Sequence, residues 1–305
     1  MGIVLKPSAN GRLSLKGFIE HVRQVIDLQE PDSLIGLASP LCMLANDPDV
    51  VARHLNETIQ RSLDASSPPP AVSSNITLAK DDHFTLSANV WMPASLGEHL
   101  PPNGIPAGRV HNHNTSLLTV GYAGPGCDVD LYVFDPKTSQ GEIGEHVDLR
   151  FVERARLSPR AAVIYRETVD AHARFAPTAL SVSLTFSIID ERSQRIDQLL
   201  FDPHSATIVG VGPHAAVHRR ASVVLLAGEF GNAGTIDLLD GLLRRSHCRR
   251  VREAAVDAAM RLRDTSIGDR TRVVERALRD SSELVRRRAE VAAAQLDSIK
   301  SPGTS

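Results

Sequence analysis

Short runs in which apolar and polar residues alternate fill the middle of the chain, and this period of two most constrains how it can fold. Leu180-Ser181-Val182-Ser183-Leu184-Thr185-Phe186-Ser187-Ile188 and Asp128-Val129-Asp130-Leu131-Tyr132-Val133-Phe134 both alternate along their length. Each therefore puts its apolar side chains on one face of a pleated strand. Ile76, Thr77, Phe84, Leu86, Val90 and Trp91 belong to further short runs, as do Val147 to Val152 and Ala161 to Tyr165. Leu199 to Val211 adds a partly β segment around Pro203. Many short strands parted by turns need a second sheet to cover the first, so a double-sheet jelly roll is expected over residues 71–212.

At both ends the period becomes helical. Leu15, Phe18, Ile19, Val22, Val25 and Ile26 form one stripe behind Ser14, a capping residue, and a second helix is expected from Asp49 to Leu63. Pro31 and Pro40 are expected to break the pattern between them. Residues 1–70 thus read as a helical segment, ended by the stiff run Ser66-Ser67-Pro68-Pro69-Pro70. In residues 213–300, Val251, Arg252, Ala255, Ala258, Ala259 and Leu262 return 34 positions later as Val285, Arg286, Ala289, Ala292, Ala293 and Leu296. Such self-similarity marks a repeat of helices, and this one resembles HEAT repeats. The fold class is then α+β: a central jelly roll flanked by a helical segment and a helical array.

The 305 residues carry a net charge of -2, which gives no general attraction to nucleic acid or to an anionic membrane. No run is apolar for long enough to span a bilayer. Met1 to Pro7 is too short and too soon interrupted for a signal peptide, so residence in the cytoplasm is expected. Cys42, Cys127 and Cys248 are widely separated, odd in number and read as reduced thiols.

Chemistry concentrates in Arg109-Val110-His111-Asn112-His113-Asn114. If Val110 to Val120 is one strand, His111 and His113 share a face and present two imidazoles to one cation. The third donor is expected from His172, which precedes the alternating run of residues 180–188. Neutral imidazoles suit Fe(II), Zn, Cu and Ni alike. Pro93, Pro101, Pro102 and Pro106 lead into the pair and read as the rim of a site.

The His-x-His pair, the turn Gly124-Pro125-Gly126 and the later His172 together resemble the cupin superfamily, and within it the cysteine-dioxygenase-like group. Leu117 and Leu118 stand where many cupins carry a Glu ligand, which leaves three histidines, as in the thiol-dioxygenase-like members. Glu167-Thr168-Val169 replaces the usual Pro-x-Gly, and Ala176 replaces an Asn. The resemblance implies Fe(II), other divalent metals being admissible, held by His111, His113 and His172. It implies dioxygen and a small thiol or amino acid with a carboxylate as substrates. Tyr132 and Tyr165 are then candidate hydroxyl donors, and Arg109 and Arg174, each two positions from a proposed ligand, are candidates for the substrate carboxylate, with an outward, ion-paired role the preferred reading for Arg174. A ligand-sensing module whose repeats bind a protein partner, and a metal-dependent isomerase or hydrolase, are the alternatives.

Asp128 and Asp130 read as solvated residues on the outer side of their strand, and Cys127 as a small buried thiol. His21, His54, His83, His99, His146, His204, His214, His218 and His247 lack partners at ligand spacing and receive structural or surface roles. Arg244, Arg245, Arg249, Arg250, Arg252 and Arg286 to Arg288 are interleaved with Glu253, Asp257, Glu275, Asp280, Glu283 and Glu290. Local ion pairing is the expectation there rather than contact with nucleic acid.

Overall fold

The computed structural model describes residues 2–7, 9–25, 33–62, 74–96, 104–191, 193, 196–212, 216–232, 234–263 and 265–300. Pro31, the Ser66 to Pro70 run, His99, Pro101, Pro102 and His214 lie outside these residues. The chain forms two compact units, one comprising Met1–Ser139, Ile143–Ser193 and Gln198–Gly212, the other Gln140–Glu142, Gln194–Asp197 and Pro213–Ser305.

The first unit is built on two six-stranded sheets. The first sheet has the order β1 (Ile3–Leu5), β8 (Ala162–Tyr165), β5 (Leu117–Ala123), β10 (Ser181–Ile188), β3 (Phe84–Trp91) and β2 (Asn75–Lys80). The second has the order β12 (Thr207–Val211), β11 (Leu199–Asp202), β4 (Val110–Asn112), β9 (Asp170–Arg174), β6 (Asp128–Val133) and β7 (Arg150–Arg156). Every neighbouring pair is antiparallel. From β4 to β6 and from β8 to β10 the chain alternates between the sheets. Leu117, Val163 and Tyr165 of the first meet Val129 and Leu131 of the second in one buried cluster, so the sheets face each other as in a jelly roll.

The first sheet's other face is covered by helices α1 (Leu15–Val25) and α2 (Ser33–Ala45). Phe18, Val22, Leu34, Leu37 and Leu41 pack with Leu86, Leu118, Leu184 and Phe186. Ser14 Oγ accepts the Gly17 N–H at 3.1 Å, which is the expected cap of α1. Helix α2 runs straight through Pro40, where the sequence predicts a break. A proline inside a helix costs about 3 kcal/mol, less than is gained by burying Leu34, Leu37, Ala38, Leu41, Cys42 and Leu44 at roughly 1.5–3 kcal/mol for each large side chain. Helix α3 (Val50–Ser62) follows.

This covering directs the alternation of β10. Val182, Leu184, Phe186 and Ile188 join the helix-side core, and the polar set faces the opposite sheet. Thr119 and Thr185 bring their hydroxyls to 2.7 Å, Asn89 Nδ2 donates to Thr185 Oγ1 at 2.8 Å, and Trp91 Nε1 donates to Ser183 Oγ at 2.9 Å. The space between the sheets is thus lined in part by hydroxyl and amide groups rather than by an oily seam.

The turn between β5 and β6 depends on its glycines. Gly124 and Gly126 have φ of +80° and +77°, and a Cβ at either would lie 2.2 Å from a carbonyl oxygen, of Leu180 and Leu157 respectively. Only glycine meets both demands. The Leu199 to Val211 segment is a hairpin, β11 and β12, rather than one strand-like stretch.

The second unit contains α4 (Ala216–Phe230), α5 (Thr235–Arg245), α6 (Arg249–Arg261), α7 (Ile267–Ala277) and α8 (Glu283–Lys300). The repeated positions Ala255, Ala258, Ala259 and Leu262 of the first copy and Val285, Ala289, Ala292 and Leu296 of the second lie in one core. Hydrogen bonding repeats with the same spacing: Arg252 Nη1 donates to Ser246 O at 2.8 Å, and Arg286 Nη1 to Asp280 O at 2.7 Å. Arg252 also grips the Asp280 carboxylate through Nε and Nη2 at 2.8 and 2.9 Å, tying one copy to the next. Among the described residues no helix is long and apolar enough to cross a membrane.

Candidate metal centre

Antiparallel pairing of β4 with β9 sets His111 directly opposite His172, so both side chains project from one face of the second sheet. That face is the inner one, since Leu131 pairs with His172 on β6 and belongs to the cluster between the sheets. The strand holding His111 ends at Asn112, instead of running on to Val120 as the alternation suggests. The chain turns there and crosses to β5 in the first sheet, and His113 stands on the crossing. Its carbonyl accepts the Thr168 N–H at 2.8 Å, and Asn114 Nδ2 donates to Ser193 O at 2.7 Å. Buried Asn112 holds the corner from the other side, accepting from Leu199 N at 2.7 Å, while its own carbonyl accepts from Gln198 Nε2 at 3.1 Å.

The three imidazoles converge. Ring centroids are 4.4 Å apart for His111 and His172, 5.0 Å for His113 and His172, and 5.2 Å for His111 and His113. One ring nitrogen from each lies within 4.8 Å of the others; two bonds of about 2.0–2.1 Å span at most about 4.2 Å, so the rings draw slightly together around a single cation. Burial drives all three toward the neutral form, His111 to about 4 and the other two well below their ordinary value, with mutual repulsion and the charge of Arg174 acting in the same direction. Neutral imidazole is the ligating form. His111 Nδ1 is 3.0 Å from the Arg109 carbonyl, which fixes its ring. His113 Nε2 and His172 Nδ1 are buried and find no hydrogen-bond partner among the described residues. A buried polar atom left so costs about 1–3 kcal/mol, and a cation between the rings would relieve it. The donor set therefore fits a divalent metal.

Two further side chains face this cluster. The Tyr165 ring lies 4.4 Å from that of His172 and 5.7 Å from that of His113. Its hydroxyl is buried, with no acceptor for its proton among the described residues, and burial pushes it up to about 12 in spite of the nearby Arg174 guanidinium. Arg174 is on the same face of β9 as His172, stacked 3.9 Å above the Trp91 ring, and its buried Nε also lacks an acceptor. The outward, ion-paired Arg174 of the sequence reading is thus corrected: strand alternation carries it inward with His172.

Tyr132 is corrected as well. It pairs with Ala171 on the outer face of the second sheet and meets half-exposed Phe151 edge-on at 5.5 Å, away from the imidazoles. Arg109 has an exposed side chain and touches the site through its carbonyl oxygen. Asp128 and Asp130 form two-pronged ion pairs with Arg156 and Arg154 across β6 and β7. Cys127 is buried, its thiol pushed up by burial. Trp91 and Asn112 carried no chemical motif in the sequence. Arg174 did carry a signal, its spacing of two from His172.

No protein-family model and no curated protein matches the sequence. Among solved structures, the chain is similar to hydroquinone 1,2-dioxygenase from Sphingomonas sp. TTNP3, at 10% identity over 42% of this chain and 70% of that one, with a TM-score of 0.26. It is similar to a cupin domain from Bordetella pertussis at 11% identity over 38% and 92% of the two chains, TM-score 0.21. A salicylate 1,2-dioxygenase from Pseudaminobacter salicylatoxidans gives 11% identity over 46% and 33%, TM-score 0.24.

Proposed function

We propose that the chain is a mononuclear iron oxygenase of the cupin type, with His111, His113 and His172 as the metal ligands and a small carboxylate-bearing thiol or amino acid as substrate. The observation that carries this reading is the convergence of three buried, neutral imidazoles beside the buried Tyr165 hydroxyl and the buried Arg174 Nε, an atom with no acceptor among the described residues. Iron, if held by His111, His113 and His172, would supply the redox chemistry that joins dioxygen to the substrate.

The chain's own residues prepare that meeting. Three neutral donors leave the cation's charge uncompensated, which favours an anionic substrate atom. The Arg174 guanidinium, held flat on Trp91, offers its buried Nε to a carboxylate. Tyr165 keeps its proton at neutral pH and would donate it from Oη to a substrate bound beside His172. The helical unit is read as a pair of HEAT-like repeats, a candidate surface for a protein partner.

The test is to purify the full chain without oxygen, quantify iron, zinc, nickel and copper, and follow thiol-dependent oxygen uptake. Stoichiometric iron that disappears in both His111→Ala and His172→Ala, with uptake that disappears alongside it, supports the reading. A metal-free protein, or one whose metal content is indifferent to both substitutions, overturns it.

A further inference from the structure

The helical unit carries a second polar feature that owes nothing to the metal centre. A cavity of about 560 Å³ is lined by Arg244, Arg252, Arg272, Arg276 and Arg279, with Leu243, Ser246 and Ser281 between them and two carboxylates, Glu275 and Asp280. We propose that this cleft binds the phosphoryl group of a small phosphorylated molecule.

The arginines divide by what already occupies them. Arg252 is committed to Asp280, and Arg272 to Asp237 at 2.8 Å and Asp269 at 3.3 Å. Buried Asp240 takes Arg276 by Nε at 2.7 Å and Arg244 by Nη1 at 3.2 Å. Each of those contacts fixes one edge of a guanidinium. The Nη donors of Arg276 are left without an acceptor among the described residues, and Arg279 has none for its side chain. Asp240 thus works as a clamp that aims two arginines rather than as a neutraliser of the whole cleft.

Direction and size select the ligand. Donors reach the cavity from α5, from α7 and from the segment after α7. A tetrahedral phosphoryl group, with oxygens pointing several ways, accepts from such a set, whereas a planar carboxylate is served from one plane. The volume falls in the range of small-molecule sites. Glu275, with no bonded arginine among the described residues, would repel a second negative group placed beside it, so the rest of the ligand is expected to be neutral or cationic there.

Calorimetric titration of the full chain tests this, with inorganic phosphate and with phosphoethanolamine, whose remainder is cationic, as probes and sodium chloride at matched ionic strength as the reference. Saturable binding with Kd at or below about 1 mM is expected, and Arg279→Gln should weaken it about tenfold. Arg279 is exposed and without a side-chain partner, so its replacement leaves the fold intact, which circular dichroism will verify. Arg261→Gln, which removes an exposed arginine outside the cleft, should bind as the wild type does. Tighter binding of phosphoethanolamine than of phosphate identifies an ester as the ligand, and equal or weaker binding identifies free phosphate. Absence of saturation by both probes, or undiminished binding by Arg279→Gln, overturns the proposal.

Discussion

Acid should unfold the first unit through its imidazoles. His111 is held at about 4 against an ordinary 6.5, with burial as the main cause. The folded value is the lower one, so between pH 6.5 and 4 unfolding takes up a proton at this residue. Its contribution to stability is therefore complete above about pH 6.5 and is lost as the pH falls toward 4. The gap between the two values corresponds to about 3 kcal/mol over that window, or about 1.4 kcal/mol for each pH unit. His113 and His172 are displaced in the same direction and add to the slope. Urea unfolding of the metal-stripped full chain at pH 7, 6 and 5, followed by the fluorescence of its single Trp91, measures this. His111→Gln is compared under the same conditions. The variant's stability should fall less steeply, by up to about 1.4 kcal/mol per pH unit, whatever its stability at pH 7, because titrating groups away from the three rings cancel in the difference and His113 and His172, relieved of the His111 charge, only add to the change. Equal slopes would mean that the His111 ring is not kept neutral in the fold, and the account of the centre would be wrong at its base.

Divalent metal at a hundredfold excess over its Kd should stabilise the first unit by about 2.7 kcal/mol, measured by urea unfolding at pH 7, and His111→Ala combined with His172→Ala should abolish the effect. Arg252→Ala removes the two-pronged partner of the half-buried Asp280 carboxylate, which keeps the Ser282 N–H at 2.8 Å, and should cost the helical unit about 1–3 kcal/mol in thermal unfolding; an unchanged midpoint would show that the pair does not hold the two copies together. Gly126→Ala must hold a Cβ at positive φ against the Leu157 carbonyl, and a loss of about 1–3 kcal/mol in denaturant unfolding is expected. An unchanged Gly126→Ala protein would show that the turn relaxes without disturbing β6.

How far the residues announced the fold differs from one element to the next. Alternation marked β10 and β6 because each has one apolar face, and the 34-residue echo marked α6 and α8 because equivalent alanines enter one core. Alternation could not say which face of β10 would look outward; the covering helices decide that. Pro40 misled because local chain preference is outweighed by burial along α2. Within the site, His111, His113 and His172 were legible from type and spacing. The end of β4 at Asn112 was not, since it is set by hydrogen bonds to Leu199 and Gln198, 87 and 86 residues away. Arg109 and Tyr132 misled for a shared reason: position near a ligand, or a chemically apt side chain, says little until the face of the strand is known.

The placement of His113 on a crossover, with His111 and His172 facing each other across a ladder, gives the three donors unequal freedom. Backbone pairing sets the distance between the two opposed rings, and changing it would mean shearing a sheet. His113 is moored by its carbonyl to Thr168 and, through its neighbours Asn112 and Asn114, to Leu199, Gln198 and Ser193, bonds that no sheet ladder reinforces. Tuning for ionic radius would therefore be expected to act through that mooring, so that substitutions at Asn114 or Ser193 alter which cation is retained while the opposed pair keeps its span.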